Sequence, residues 1–142
     1  MSVSLRLTLH LPRDAGTVTM ARRLLDQALG TLRVAEDCRG ELALILTEAC
    51  ANVVQHAAGS QAYEISVCVS HDECVIEVIN TGPVVDPSIW IDRGEAPATA
   101  EGGRGLRLIM SLADEVTLDP DDGGGVALRA VKKLAWCQEP AS

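Results

Sequence analysis

This chain is poor in aromatic side chains and in positive charge. Its 142 residues include no phenylalanine, one tyrosine and two tryptophans, so a core must be built from Leu, Val, Ile and Ala. Twelve Lys and Arg residues stand against twenty Asp and Glu, which gives a net charge of −8. Non-specific nucleic-acid binding needs clustered basic residues or aromatic stacking platforms. We therefore expect no direct contact with nucleic acid.

The sequence also lacks long apolar runs and any C-x-x-C pair. No apolar run approaches the 18 or so residues of a transmembrane helix. Arg6 and His10 interrupt the only N-terminal candidate for a signal peptide. The five cysteines are odd in number and several lie in apolar runs, which is typical of buried thiols in a reducing compartment. These features predict a cytoplasmic protein with no membrane contact.

What is present predicts one folded domain over residues 1–142, with its core at about 4–134. The composition, 47% hydrophobic and 23% charged, is typical of globular chains. Residues 83–103 are rich in Gly and Pro and are interpreted as a lid. Periodicity predicts the order β-α-α-β-β-lid-α-β-β. Its strands are Ser4–Leu11, Tyr63–Ser70, Cys74–Ile79, Asp114–Leu118 and Val126–Leu134, and its helices are Ala15–Leu29, Glu41–Ala58 and Arg104–Ala113.

This order favours an α/β (α+β) two-layer sandwich, in which a mixed, mostly antiparallel sheet carries helices on one face. Gly30 is expected to stop the first helix, and Asp37 is expected to cap the second.

The second helix carries an unusual polar stripe. Glu48, Asn52 and His56 lie at i, i+4 and i+8, and therefore on one face of an otherwise apolar helix. Unpaired polar groups cost about 1–3 kcal/mol each when they are desolvated. A carboxylate and a carboxamide one turn apart can instead hold a proton acceptor and a hydrated cation beside a polyphosphate.

Four motifs together resemble the GHKL ATPases. Glu48-x-x-x-Asn52 resembles their N-box, and Asn80-Thr81-Gly82 resembles a weakened adenine box. The family's second glycine box is resembled by Gly103-Arg104-Gly105-Leu106, and its third by Gly124-Gly125-Val126-x-Leu128. The pattern from Thr47 to Ala57 most resembles the bacterial anti-sigma-factor serine/threonine kinases. The likeness covers about Leu5 to Leu134 and implies the GHKL (Bergerat-like) fold.

The resemblance implies ATP and Mg²⁺ as ligands and a role for each motif residue. Asn52 would be the metal ligand and Glu48 the base. Gly103 and Gly105 would leave backbone N–H groups free for phosphate oxygens, at the start of the helix that carries Leu106. Arg104 would neutralise charge on the terminal phosphate. Gly82, which has no β-carbon, would let the backbone pass under the adenine ring.

Two positions depart from the family pattern. Asn80 stands where the adenine box usually has Asp, so its hydrogen bond to the adenine amino group would be neutral. A neutral bond is worth about 0.5–1.5 kcal/mol against about 1.5–3 for a charged one, which predicts about tenfold weaker ATP binding than the variant Asn80→Asp would show. Val84 replaces the second glycine of the box and alters the expected lid hinge.

The leading hypothesis is an anti-sigma-type protein serine/threonine kinase that forms a homodimer. The resemblance implies two partners, a sigma factor that it sequesters and an anti-anti-sigma (STAS-type) protein that it phosphorylates. The alternatives are a non-catalytic, nucleotide-gated binding module, the catalytic domain of a sensor histidine kinase, and a plain α/β structural domain. The sensor-kinase reading is disfavoured because we expect no helical dimerisation segment before the first strand.

Single residues also have simpler interpretations. Glu48 could pair with an arginine, and His56 could be a packing or capping residue or could lie at the rim of the site. Gly123-Gly124-Gly125 could be only a hairpin turn. Trp90 in the lid could form a contact surface or pack beneath the lid. Arg22 and Arg23 are interpreted as a solvated face.

Overall fold

A computed structural model describes residues 3–56, 62–80, 101–120 and 126–137. Within these ranges the chain forms three helices and five strands in the predicted order. The strands are β1 (Val3–Pro12), β2 (Ala62–Ser70), β3 (Glu73–Asn80), β4 (Glu115–Pro120) and β5 (Val126–Lys133). The helices are α1 (Ala15–Thr31), α2 (Glu36–His56) and α3 (Glu101–Leu112).

The five strands form one sheet in the order β1-β2-β3-β5-β4, and every ladder is antiparallel. The predicted α+β sandwich with a mostly antiparallel sheet is therefore confirmed. Burial alternates strictly along β2 and β3, because every second side chain faces the helices. This alternation explains why the sequence forms a sheet that helices cover on one face. The core is aliphatic as expected, and its fully buried members include Leu25, Ile45, Val67, Ile76 and Leu128.

The two predicted boundary signals around the α1–α2 connection were wrong. Gly30 lies inside α1, whose C-cap is Leu32. A β-carbon on Gly30 would lie 3.1 Å from Nη1 of Arg39, so the glycine leaves space for the Arg39 side chain and does not end the helix. Asp37 is not the cap of α2 but lies in its first turn, where a carboxylate still favours the helix dipole. Among the described non-glycine residues, Arg33 has a positive φ, of 70°, and it lies in the connection between α1 and α2.

The third helix begins earlier than predicted. It starts at Glu101, so Gly103, Arg104 and Gly105 lie in its first turns, and residues 101–103 are helical where the sequence predicted lid. Residues 83–100 of the predicted lid, which include Val84 and Trp90, lie outside the described residues. So do Gly82, the Gly123-Gly124-Gly125 turn and the predicted end of α2 at Ala58.

Candidate functional site

The N-box residues lie where α2 packs against the start of α3. Asn52 is buried, with 5% of its surface exposed, and Glu48 is half-buried one turn earlier. A β-carbon added to Gly105 would lie 3.1 Å from Oε2 of Glu48 and 3.7 Å from Nδ2 of Asn52. The structure therefore brings together three predicted site residues from two helices that are far apart in sequence.

Gly105 keeps this junction open. It is buried inside a helix, where glycine costs about 1 kcal/mol relative to alanine. A distance of 3.1 Å is tighter than most real Cβ contacts, so a side chain here would make the end of the Glu48 side chain shift by a few tenths of an ångström. The missing side chain leaves room for a ligand beside the carboxylate and the amide.

The junction holds a buried polar atom that the described residues leave without a partner. Within the described part of the chain, Nδ2 of Asn52 is buried and has no hydrogen-bond partner. Glu48 forms no ion pair with any described residue, and the side chain of Arg104 lies outside the description. A buried amide without a partner costs about 1–3 kcal/mol, and such groups in native proteins call for an explanation. A ligand at this position would supply one.

The residue types at the junction suit a nucleotide with a hard cation. The amide of Asn52 offers an oxygen of the kind that Mg²⁺ prefers, once the amide is oriented toward a cation. No group of three or more His, Cys, Asp or Glu side chains is placed to hold a metal among the residues that can be described.

Asn80 lies at the same end of the sheet, on its helix-facing side. It is the last residue of β3 and is completely buried. Its cross-strand neighbours are Tyr63 on β2 and Val126 on β5, which is the first residue of its strand. The adenine-binding role of Asn80 stays a prediction, and Gly82 of the same motif lies outside the described residues.

Tyr63 supports this end of the sheet and was missed by sequence analysis. Its ring is buried, and its hydroxyl lies 2.7 Å from Oγ1 of Thr17 at the start of α1. The side chain of Asp14 caps α1 by accepting from the N–H of Gly16. Burial raises the pKa of Tyr63, and the Thr17 bond lowers it by a smaller amount. The only available signal was that the chain has a single tyrosine.

The remaining predicted residues are placed less completely. Leu106 is buried in the hydrophobic core, so only its backbone could face a ligand. Gly103 and Arg104 lie in the first turn of α3, and their side-chain surroundings are outside the description, as are those of His56.

At its opposite end the α2–α3 pair is held by Lys132 of β5. Its Nζ donates to the carbonyl oxygen of Leu112, the last residue of α3, at 2.9 Å. The same ammonium lies 3.0 Å from Oε1 of Glu41 on α2, and only 14% of the lysine side chain is exposed. Lys132 thus fixes where α3 ends relative to α2, two turns before Glu48.

No helix in the described part of the chain is long and apolar enough to cross a membrane. No curated protein matches this sequence. Several solved structures share its fold. A chain from the SiaB–SiaC complex of Pseudomonas aeruginosa superposes with a TM-score of 0.72 at 14% identity, with 91% of this chain and 89% of that one covered.

The second similar structure contains the RsbU and RsbW domains of Rv1364c from Mycobacterium tuberculosis. It superposes with a TM-score of 0.69 at 14% identity and covers 92% of this chain. This chain spans only 33% of that longer protein. At such identities the likeness concerns the fold alone.

The match to a protein family is more specific than the likeness to individual structures. The pattern of the histidine kinase-like ATPase domain matches residues 11–132, which include every predicted motif. The predicted GHKL resemblance is thereby confirmed, and nucleotide binding is the activity that this family implies. The chain belongs to the histidine kinase-like ATPase domain family.

Proposed function

We propose that this chain is a cytoplasmic anti-sigma-type protein kinase that transfers the γ-phosphoryl group of ATP to a serine or threonine of a partner protein. One observation supports it above the others. Glu48, Asn52 and Gly105 meet at one helix junction, where Asn52 has a buried amide nitrogen without a partner among the described residues. A structural helix contact has no need of this combination, whereas a phosphoryl-transfer site can use the carboxylate as a base, the amide oxygen as a metal ligand and the space beside the glycine for a phosphate.

The proposed roles follow from the chemistry of each group. The Glu48 carboxylate accepts the proton of the attacking hydroxyl, whose oxygen forms the new bond to the γ-phosphorus as the bond to the β–γ bridging oxygen breaks and ADP leaves. The free N–H groups in the first turn of α3 donate to phosphate oxygens. Gly105, whose own N–H lies inside the helix, leaves room for the phosphates to approach. Asn52 would hold Mg²⁺, which when bound neutralises phosphate charge.

The proposed protein partners are an anti-anti-sigma (STAS-type) substrate and a sigma factor. The likeness in fold to a chain from the SiaB–SiaC complex and to the RsbU–RsbW protein supports regulation through protein partners. The acidic charge of the chain also fits an effect on transcription that acts through another protein and not through DNA.

The decisive experiment replaces Glu48 with Gln. We expect Glu48→Gln to bind Mg·ATP with unchanged affinity but to lower phosphotransfer to the partner by at least about 10²-fold, the usual contribution of a general base. Isothermal titration and transfer of label from γ-labelled ATP measure the two properties. Phosphotransfer at the wild-type rate would remove Glu48 as the base.

A second candidate is a non-catalytic, nucleotide-gated binding module. The neutral, fully buried Asn80 at the adenine end favours it, because weaker adenine recognition suits sensing of high ATP concentrations better than turnover. The two functions separate in one assay. A binding module would change its affinity for the partner when ATP is added. Neither the wild type nor Glu48→Gln would transfer label to that partner.

A further inference from the structure

Two buried carboxamides belong to different layers of the domain. Of the described side chains, the buried ones that carry an amide or a charge are Asn52 on α2, 5% exposed, and Asn80 on β3, 0% exposed. A carboxamide inside an aliphatic core is costly to desolvate, so its presence calls for a reason. One of these amides lies in the helical layer and the other in the sheet.

The course of α2 brings both amides to the same edge of the sandwich. α2 begins over the start of β3, because Sγ of Cys38 lies 3.8 Å from the carbonyl oxygen of Lys133, the residue that pairs with Glu73 at the first position of β3. From Cys38 to Asn52 the helix rises about 21 Å, and from Glu73 to Asn80 the strand extends about 24 Å. The helix and the strand therefore end together, each with its amide.

Tyr63 joins the two layers at this edge. It lies directly opposite Asn80 in the ladder between β2 and β3, and both side chains are buried on the helix-facing side. Burial is the main cause that raises the pKa of Tyr63, and Cys50 of α2 lies close enough to raise it further. Since Cys50 comes two residues before Asn52, the second carboxamide is close to the same ring.

The hydroxyl of Tyr63 is committed to α1. It lies 2.7 Å from Oγ1 of Thr17, and that oxygen lies 2.7 Å from the carbonyl oxygen of Asp14. A carbonyl oxygen only accepts, so the Thr17 hydroxyl donates to Asp14 and accepts from Tyr63. This hydroxyl therefore does not fix the orientation of the Asn80 amide.

We propose that the nucleotide site accepts 6-oxopurine nucleoside triphosphates as well as ATP, because Asn80 pairs with either kind of base. The inference rests on the proposed function, in which the phosphates lie at Asn52 and the base reaches Asn80. A carboxamide carries an acceptor and a donor on one planar group. Its oxygen accepts from the 6-amino group of adenine, and after a half-turn its nitrogen donates to the 6-oxo group of hypoxanthine or guanine.

A carboxylate at this position, as in the family pattern, would discriminate between the two bases. It only accepts, so it would face a 6-oxo group with a second acceptor. A buried polar group that a ligand leaves unpaired is what rejects that ligand most strongly. Specificity is a difference of affinities, and Asn80 removes the repulsive part of that difference.

Titration of the full wild-type chain with three nucleotides in the presence of Mg²⁺ tests the proposal without any substitution. ATP carries a 6-amino group, ITP carries a 6-oxo group, and purine riboside triphosphate carries only hydrogen at this position. We expect ATP and ITP to bind within about tenfold of each other. Purine riboside triphosphate should bind about three- to tenfold more weakly than both, because it leaves the amide unpaired.

The variant Asn80→Asp should create the missing discrimination. ATP affinity should rise by about tenfold and ITP affinity should fall by at least about tenfold, so that their ratio reaches at least about a hundredfold. Thr8→Asp is the matched control, because Thr8 is exposed on the other face of the sheet and the variant adds the same charge. Its ratio should equal that of the wild type. Unchanged circular dichroism must accompany both variants.

The outcomes separate this inference from the proposed kinase. A wild type that binds ATP more than about a hundredfold better than ITP would overturn the inference and leave the kinase standing. So would equal binding of all three nucleotides, or an ATP-to-ITP ratio that Asn80→Asp leaves unchanged or that Thr8→Asp changes equally. If Asn80→Asp does not fold, the wild-type series decides. Binding of both purines without any phosphotransfer would overturn the kinase alone, and binding of none of the three would overturn both.

Discussion

The two ends of the α2–α3 contact are built on opposite principles. At one end the Lys132 ammonium meets both the Leu112 carbonyl and the Glu41 carboxylate, so the polar groups complete one another. At the other end Glu48 and Asn52 face a glycine, and within the described residues the Asn52 amide nitrogen has no partner. The first arrangement stabilises the fold, and the second leaves binding capacity for a ligand.

This contrast also shows how a small domain can hold a site with unsatisfied polar groups. The orphaned amide costs about 1–3 kcal/mol, and the helix-interior glycine costs about 1 more. A charge-assisted hydrogen bond at a largely buried lysine contributes about 1.5–3 kcal/mol and offsets a similar amount. The four substitutions below change one end at a time.

The largest expected effect is on stability, at the lysine end. Lys132→Met keeps the aliphatic stem but leaves the Leu112 carbonyl without its donor, and should lower the free energy of unfolding by about 2–3 kcal/mol. Urea unfolding measures the loss. Lys133→Met, at an exposed neighbour on the other face of the sheet, is the control and should change stability by less than about 0.5 kcal/mol. Equal effects would show that Lys132 does not hold the helices.

The next effect is on binding, at the glycine end. Gly105→Ala gains helix propensity but places a methyl 3.1 Å from the Glu48 carboxylate, so ATP affinity should fall by about tenfold, or about 1.4 kcal/mol. The matched control is Gly40→Ala on α2, where an added β-carbon meets nothing within 4 Å. It should stabilise the fold by up to about 1 kcal/mol and leave titration with ATP unchanged. If both variants bind ATP equally, Gly105 is not part of the site.

A third substitution should separate stability from binding. Asn52→Leu removes the orphaned amide at similar volume and should raise the free energy of unfolding without ligand by about 1 kcal/mol. The increase in melting temperature that Mg·ATP gives the wild type should disappear. Thermal scans with and without Mg·ATP report both effects. A destabilised variant that still responds to Mg·ATP would mean that Asn52 is a structural residue.

The smallest effect is expected at Glu41. Its side chain is 43% exposed, so its pairing with Lys132 is screened by solvent. Glu41→Gln should cost no more than about 0.5 kcal/mol in urea unfolding, well below the loss in Lys132→Met. A comparable loss would shift the origin of the stability from the carbonyl bond to the ion pair.

The order of elements could be read from the sequence because local signals agree with the fold. Alternating burial along β2 and β3 and the apolar face of α1 are periodic features that no distant contact reverses. The pairing of Glu48 with Asn52 follows likewise from helix geometry alone. These two residues are confirmed as neighbours at one junction, while their roles in catalysis and metal binding remain predictions.

The sequence could not reveal features that depend on distant residues. Glycine is a common helix-ending residue, but Gly30 lies inside α1 and leaves space for the side chain of Arg39 on the next helix. The start of α3 was placed three residues late because glycine lowers helix propensity, and packing against α2 overrides that preference. In the sequence nothing distinguishes Lys132 from an exposed strand lysine. Its side chain points toward the helices because of how β5 pairs with β3.

The cysteines have one more consequence, for metal selectivity. Cys50 lies on α2 only two residues before Asn52, yet its side chain is fully buried in the core. Burial raises the pKa of its thiol to about 12, and that of Cys74 to about 12 as well. Soft metals such as zinc bind the thiolate and not the thiol. In the proposed site α2 would offer the hard oxygen of Asn52, while the nearby Cys50 thiol is protonated in the core and would offer no thiolate to a thiophilic ion.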